Sequence, residues 1–293
     1  MQKLYEYLTG LNPDVSVAAI LALLFTLEVI FSNGVSFAKK GVHLLNSALL
    51  QVAYFFTNFL LATLVVMCFK WIDDKHIGLF NIIVVPYYLK VIVGVFLVDL
   101  VNYWAHRLYH TMEIFWRLHR VHHSDTMLDS STAYRFHPLD AILDNSAGVV
   151  AAILFGLDPP ILILWFVLYI PVLVLHHSNF IMPSWFDKTI GKIIVSPNYH
   201  KVHHHQEQEY TDSNYGLLFI IWDKLFKSFK TLPVRQIKFG LREFDEPRRQ
   251  TFWFLLLSPF LNLKKKLPAT GNLHQGQTSL QKQEETLEAY NKS

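Results

Sequence analysis

The chain has 293 residues, 52% of them hydrophobic and only 17% charged, and a mean hydropathy of +0.26. Ordinary soluble domains carry about 25% charged residues, so this composition excludes one and points to a membrane protein. The net charge of +3 is mild and scattered, which argues against nucleic-acid binding, and the lone cysteine, Cys68, excludes an intrachain disulfide.

Four apolar blocks follow in chain order. The first runs from Val15 to Ser32, interrupted only by Glu28. It has no cationic leader and no small-residue cleavage site before Lys39, so it reads as a span and not as a signal peptide. The second covers Leu44 to Phe69, and the third covers Leu79 to Leu100 with Pro86, Lys90 and Asp99 inside it. Crossing the hydrocarbon core takes roughly 20 helical residues, so all three are long enough. The fourth, Ala147 to Leu175, is broken by "GLDPP" at Gly156 to Pro160. Proline does not continue a helix, so residues 141–178 read as a helical hairpin, either spanning or re-entrant. "FWFLLLSPFLNLKKK", Phe252 to Lys266, is too short to span and reads as an interfacial or docking helix.

The sequence therefore predicts an all-α integral membrane helical bundle of about four spans with a histidine-rich helical cap. Its expected divisions are N-terminal membrane helices over 1–98, a histidine-rich domain over 99–249, the docking helix over 250–267 and a disordered tail over 268–293. Lys39 and Lys40 follow the first span with no acidic neighbour, which places that loop in the cytosol. The balanced loop of Lys70, Asp73, Asp74 and Lys75 then lies outside. The chain returns to the cytosolic face at His106, and the amino terminus lies opposite. The host is a bacterial inner membrane or an endoplasmic reticulum.

Histidine is the chemical signal. His43, His76 and His274 stand alone and read as ordinary polar residues. The other twelve of the fifteen fall into "HRLYH" (His106, His110), "HRVHH" (His119, His122, His123), "RFHP" (His137), "LHHSN" (His176, His177) and "HKVHHH" (His200, His203, His204, His205). Residues three and four apart share one helix face, so His106 sits with His110, His119 with His122 and His123, and His200 with His203 and His204. His205 falls outside the triplet and reads as a solvated extra. Neutral imidazole is the commonest metal ligand, and three such groups, two of the form His-x-x-His-His, read as a metal site. Eight histidines exceed what one ion takes, which implies two ions. Imidazoles without cysteine favour iron, with zinc or copper also accepted.

Asp99, Tyr103, His106 and His110 form an i, i+4, i+7, i+11 series on one face. Ionisable groups in membranes are costly and usually functional, and metal-bound histidines commonly donate their second N–H to a carboxylate. Asp99 is accordingly expected to support the boxes, with Asp125, Asp140 and Asp212 as further candidates. Two other classes stay open from residues alone: a bis-histidine haem electron carrier, which leaves most of these histidines unexplained, and a metal transporter, which usually holds histidines inside its spans.

Taken as a set, the boxes His-x-x-x-His, His-x-x-His-His and His-x-x-His-His, the third after a hydrophobic hairpin, resemble the fatty acid hydroxylase/sterol desaturase superfamily. The segments between them, "TAYRFHP", "HHSN" and "NYGLLFIIWDKLF", are similar too. The resemblance covers roughly Asp99 to Arg249 and implies a non-haem di-iron oxygenase that hydroxylates or desaturates a lipid (a sterol, an alkylglycerol or a fatty acyl chain) with O₂ and two electrons. It implies metal ligation by His106, His110, His119, His122, His123, His200, His203, His204 and His177, with His176 a further candidate and His137 a ligand or an outer partner. The first box holds three residues between its histidines where acyl hydroxylases and desaturases tend to hold four. That favours the sterol desaturase/alkylglycerol monooxygenase side. No dinucleotide fingerprint or haem domain is present, so a separate ferredoxin, small haem cytochrome or pterin is expected to supply the electrons.

Overall fold

The structure, a computed structural model, describes residues 37–263 together with Leu23 and Thr26. Apart from those two residues the first apolar block lies outside the described residues, as do the placement of the amino terminus, His274 and the tail over 268–293.

Helix α1 (Phe37–Asp74) has 38 residues and rises about 57 Å, nearly twice the thickness of a hydrocarbon core. Its middle and its first turns meet different surroundings. Phe59 is 76% exposed and, with Phe55, Phe56 and Leu64, forms an outward apolar face suited to lipid. The first turns instead reach polar partners, His43 beside Ser131 and Asn46 accepting the Phe252 N–H.

The third apolar block is not one helix. Pro86 has no N–H to give and disfavours helical geometry in the residue before it. The block therefore splits into α2 (Leu79–Ile82) and α3 (Tyr87–Thr111). Starting after the proline moves the span toward the boxes, so that its last turns carry His106 and His110. The hairpin consists of α5 (Asp140–Phe155) and α6 (Pro159–His177), with α4 (Glu113–His123) preceding it. Gly156 ends α5 at φ 65, a left-handed geometry that glycine adopts without a Cβ penalty. Among the described residues, three stretches are long and apolar enough to cross a bilayer, Gly41–Ile82, Tyr87–Thr111 and Pro159–His177. The 16 residues of α5 rise only about 24 Å, short of a full crossing.

Small residues let these helices approach. Gly94 on α3 lies so near α6 that a Cβ there would sit 2.9 Å from Ile161. Ala147, Ala151 and Ala152 are the buried residues in the middle of α5. Val95, Val98, Ile161, Leu164 and Trp165 fill the core between them. At the end away from the boxes, Gly78 (φ 108) meets Gly156 backbone to backbone, leaving 2.0 Å for any added Cβ. Lys90 pairs with Asp158 at 2.9 Å beside that contact.

Short helices cap the other end: α7 (Ser184–Lys188), α8 (Pro197–His203), α9 (Gln208–Thr211), α10 (Ile221–Leu225) and α11 (Phe252–Leu257). Among the described residues there is no strand, only isolated bridges pairing Ile194 with Phe219 and His205 with Phe239. The docking segment is α11 followed by a 3-10 turn, Ser258–Phe260. It is fixed by Arg120, which donates to the carbonyls of Ser258 and Leu261.

Candidate metal centre

Four elements bring the histidines together. Met112 is extended between α3 and α4 (φ −101, ψ 119), which folds α4 back so that His119 faces His106. Helix α8 begins at Pro197 behind Ser196, whose side chain accepts the Asn198 N–H. The result is two clusters that cut across the boxes. His106, His110, His119, His123 and His203 form the first; His122, His177, His200 and His204 form the second. Within each, the candidate ligand atoms all lie within 4.8 Å of one another. Adjacent residues on a helix diverge by about 100°, so His122 and His123 serve different clusters, as do His203 and His204. The two clusters touch: the rings of His123 and His204 stack at 4.5 Å.

Hydrogen bonding decides what can fill them. His106 Nδ1 donates to the Tyr215 carbonyl (2.8 Å) and His203 Nδ1 to that of Ser213 (2.6 Å). A carbonyl only accepts, so both Nδ1 atoms carry the proton and both Nε2 atoms present bare lone pairs. Those two Nε2 atoms are 3.1 Å apart. Two lone pairs cannot bond to each other; a cation between them resolves the conflict. A proton is a poor candidate, because burial holds His203 well below its ordinary value of 6.5. The same cause holds His119, His122, His123, His200 and His204 down. A metal fits. An ion with nitrogens at about 2.1 Å separates neighbouring ligand atoms by about 3.0–3.4 Å, and the Nε2 atoms of His106 and His119 are 3.2 Å apart, those of His119 and His123 3.3 Å. In the second cluster His177 Nδ1 donates to the Leu173 carbonyl (2.7 Å), leaving its Nε2 bare. That atom lies 3.1 Å from His122 and His204 and 3.2 Å from His200.

The carbonyls come from a loop with its own anchors. Asn214, at φ 51, donates to the carbonyls of Tyr199 and Lys230. Asp223 accepts from the N–H groups of Tyr215 and Gly216, both at 2.8 Å, and from Ser228 Oγ. Burial pushes its carboxyl up to about 6 against the pull of those donors. Gly216 is required, since a Cβ would lie 2.7 Å from the Asp223 carboxylate. Sequence reasoning missed Ser213, Asn214, Tyr215 and Asp223; the signal was the run "SNYG" with its turn residues.

The remaining expected residues lie elsewhere. Asp99 touches no box histidine. Its carboxylate accepts four N–H groups, from Trp165, Trp222, Leu218 and Phe219 at 2.8–3.1 Å, so it anchors the same loop from below. Of the box histidines, Asp212 approaches His110, with Oδ1 3.4 Å from Nδ1. Asp125 accepts from Thr132 and Met127, with His43 at 3.3 Å, so His43 is a buried partner and not an isolated residue. Asp140 accepts the His137 N–H. His137 uses both ring nitrogens away from the clusters, donating to the Leu256 carbonyl and accepting from Leu139 N–H. His176 donates Nε2–H to the Val195 carbonyl and stacks on His200 at 4.7 Å, outside both ligand groups. His205 is buried, not solvated, and accepts from Glu207 N–H.

Comparisons with known proteins match this region. The fatty acid hydroxylase family model covers residues 91–228, which include every box. Alkylglycerol monooxygenase of Caenorhabditis elegans is 33% identical over 138 residues, 46% of this chain and 26% of that protein. Human lathosterol oxidase is 29% identical over 154 residues, 52% of this chain and 47% of that protein. Ornithine lipid hydroxylase of Rhizobium tropici is 28% identical over 148 residues, 50% of this chain and 44% of that protein. The chain thus spans between a quarter and a half of the length of these relatives. No solved structure matches it.

Proposed function

The chain belongs to the fatty acid hydroxylase family, and from that premise we propose that it is a membrane-bound non-haem di-iron oxygenase that hydroxylates or desaturates a lipid. One observation carries the reading: two touching imidazole clusters whose bare Nε2 lone pairs crowd to 3.1–3.3 Å. One ion in each would take five and four nitrogens, with zinc a substitute for iron. A haem places a macrocycle between two axial nitrogens, and nitrogens this close leave no room for one.

The metal pair supplies the activation of O₂ that an unactivated C–H bond demands and no side chain provides. The protein's part is to hold, orient and exclude. The carbonyls of Tyr215, Ser213 and Leu173 fix the tautomers of His106, His203 and His177, so each presents the same nitrogen inward. The buried cap keeps water from the reacting carbon, and the spanning helices connect the site to lipid. For hydroxylation the balance is R–H, O₂, two electrons and two protons giving R–OH and water. Desaturation consumes the same reagents and gives an alkene and two waters. The electrons come from a separate partner, a ferredoxin, a small haem cytochrome or a pterin, and the clusters face the cytosol of a bacterial inner membrane or endoplasmic reticulum.

Lipid extracts of cells with and without the protein, grown under oxygen-18, test the reading. A hydroxylase adds one labelled oxygen to a lipid found only in the expressing cells; a desaturase gives a new alkene and labelled water. Identical lipid profiles, with two metals per chain verified, would overturn it.

A further inference from the structure

Below the clusters, three helices gather a polar group that metal ligation does not use. Asp144 of α5 accepts from Tyr54 of α1 (2.8 Å) and Tyr109 of α3 (3.3 Å), one phenol on each oxygen. No cation accompanies it among the described residues. One turn earlier on α5, Asp140 is buried, with Oδ2 accepting the His137 N–H and Oδ1 lacking any hydrogen-bond partner. Asp140 lies four residues before Asp144 on α5, so the two carboxyls share one face of the helix. Buried polar atoms are almost always satisfied, and a carboxylate among spanning helices is costly unless it does something. The orphaned Oδ1 marks a place for a hydrogen-bond donor that the chain does not supply.

This group touches the first cluster directly and reaches the second through Phe136. The Tyr109 ring lies 5.4 Å from that of His119 in the first. Phe136 stacks flat on His122 of the second, 4.6 Å apart and 6° from parallel, and Tyr54 leans on Phe136 at 5.9 Å. Further along α1 and α5, past the neighbouring Asn58 and Asn145, lies an apolar groove of about 300 Å³ lined by Leu61, Val65, Cys68, Ile142, Asn145 and Val149. Asn145 bonds Asn58 across the groove at 2.6 Å, immediately beside Asp144 and one turn from Tyr54. The groove descends from the cap toward the middle of the spans, the direction in which a lipid's chain runs from its polar end.

We propose that this is the substrate's binding site: a hydroxyl or amine of the lipid sits among Asp140, Asp144, Tyr54 and Tyr109, and its hydrocarbon chain lies in the α1–α5 groove. The carbon oxidised is then within a few bonds of that polar group, because the rings that hold the group rest on metal ligands or on their stacked neighbour. Mid-chain and chain-end carbons lie down the groove, away from the clusters. This deepens the lipid-oxygenase reading and rests on it.

Cys68 in the groove is a built-in reporter. Purified holoenzyme is treated with N-ethylmaleimide in the presence of hexadecanol or of hexadecane, the same chain without a donor. Hexadecanol should slow alkylation of Cys68, and hexadecane should not. Asp140→Asn and Tyr54→Phe should each weaken that protection about fivefold, the worth of one hydrogen bond, without loss of metal. Equal protection by both probes, or full protection in both variants, overturns the proposal. So does an oxygen-18 label or new double bond in the middle of a chain. Alcohol-specific protection with no lipid oxidised in any cell extract would instead overturn the oxygenase reading and leave the binding site standing.

Discussion

The two clusters are built from the same residue type and share α4 and α8, the first adding α3 and the second α6, yet they are held differently. In the first, two of five rings have their outer nitrogen held by a carbonyl, His106 by Tyr215 and His203 by Ser213, and His110 Nδ1 lies 3.4 Å from the Asp212 carboxylate. In the second, only His177 is so held; the Nδ1 atoms of His122, His200 and His204 have no hydrogen-bond partner. Outer partners fix ring orientation and raise ligand basicity. The first cluster is therefore preorganised by a loop, whereas the second is shaped mainly by packing, such as Phe136 on His122 and His176 on His200. Identical ligands need not make equivalent sites.

The most drastic way to separate them is to remove one ligand from each. His177→Ala should lower metal content from two ions to one and reduce lipid oxidation to background, with membrane insertion unchanged. His203→Ala should do the same through the other site. A variant that kept both ions by mass spectrometry would remove its residue from the ligand set. Next comes the loop. Asp223→Asn loosens the segment that carries the Tyr215 carbonyl and should weaken binding at the first cluster about 10- to 100-fold, while the second titrates as before. Equal weakening at both sites would show that the loop serves the whole cap. A smaller effect is kinetic: under a chelator the second ion should leave about tenfold sooner than the first, seen as two phases of metal release. A single phase would erase the distinction.

Proton competition should treat the clusters alike. Burial depresses His119, His123 and His203 in one and His122, His200 and His204 in the other. An imidazole kept neutral in the fold takes a proton on unfolding once the pH is below its ordinary 6.5. Metal-free protein should then lose stability as the pH falls through that value and show no such slope above it. Thermal unfolding from pH 8 to 5 measures this, and His123→Asn and His200→Asn should flatten the slope by similar amounts.

The boxes were legible because i, i+4 spacing is written in the chain, and the apolar blocks because span length is. The sorting of ligands was not. His122 and His123 look alike in sequence, and only the docking of α4 against both α3 and α8 separates them. His176 and His177 pose the same ambiguity, one ring facing the cluster and the other the Val195 carbonyl. Asp99 has the right face but the wrong height, about 10 Å along the axis from His106. Its partners, including two tryptophan N–H groups, come from segments 66 and more residues away. Backbone carbonyls have no letter of their own, so the Ser213 and Tyr215 supports left no trace beyond the turn residues around them. Pro86 stands inside one continuous block of the sequence, and its effect, moving the start of the span to Tyr87, is one that block hydropathy alone does not register.

The meeting of Gly78 with Gly156 has a mechanical consequence. With no side chain on either residue, the turn joining α1 to α3 is seated directly on the turn joining α5 to α6, and the Lys90–Asp158 pair sits alongside. The helices are thus riveted at the membrane face away from the histidine clusters, like the ribs of a fan. A fan opens by an arc that grows with distance from its rivet, so lateral displacement is smallest at the glycines and largest where the ribs enter the cap. Widening the gap between α1 and α5 for a guest molecule would then stretch the cap's tethers to α1, the Asn46–Phe252 and His43–Ser131 contacts, before it disturbed the far turns.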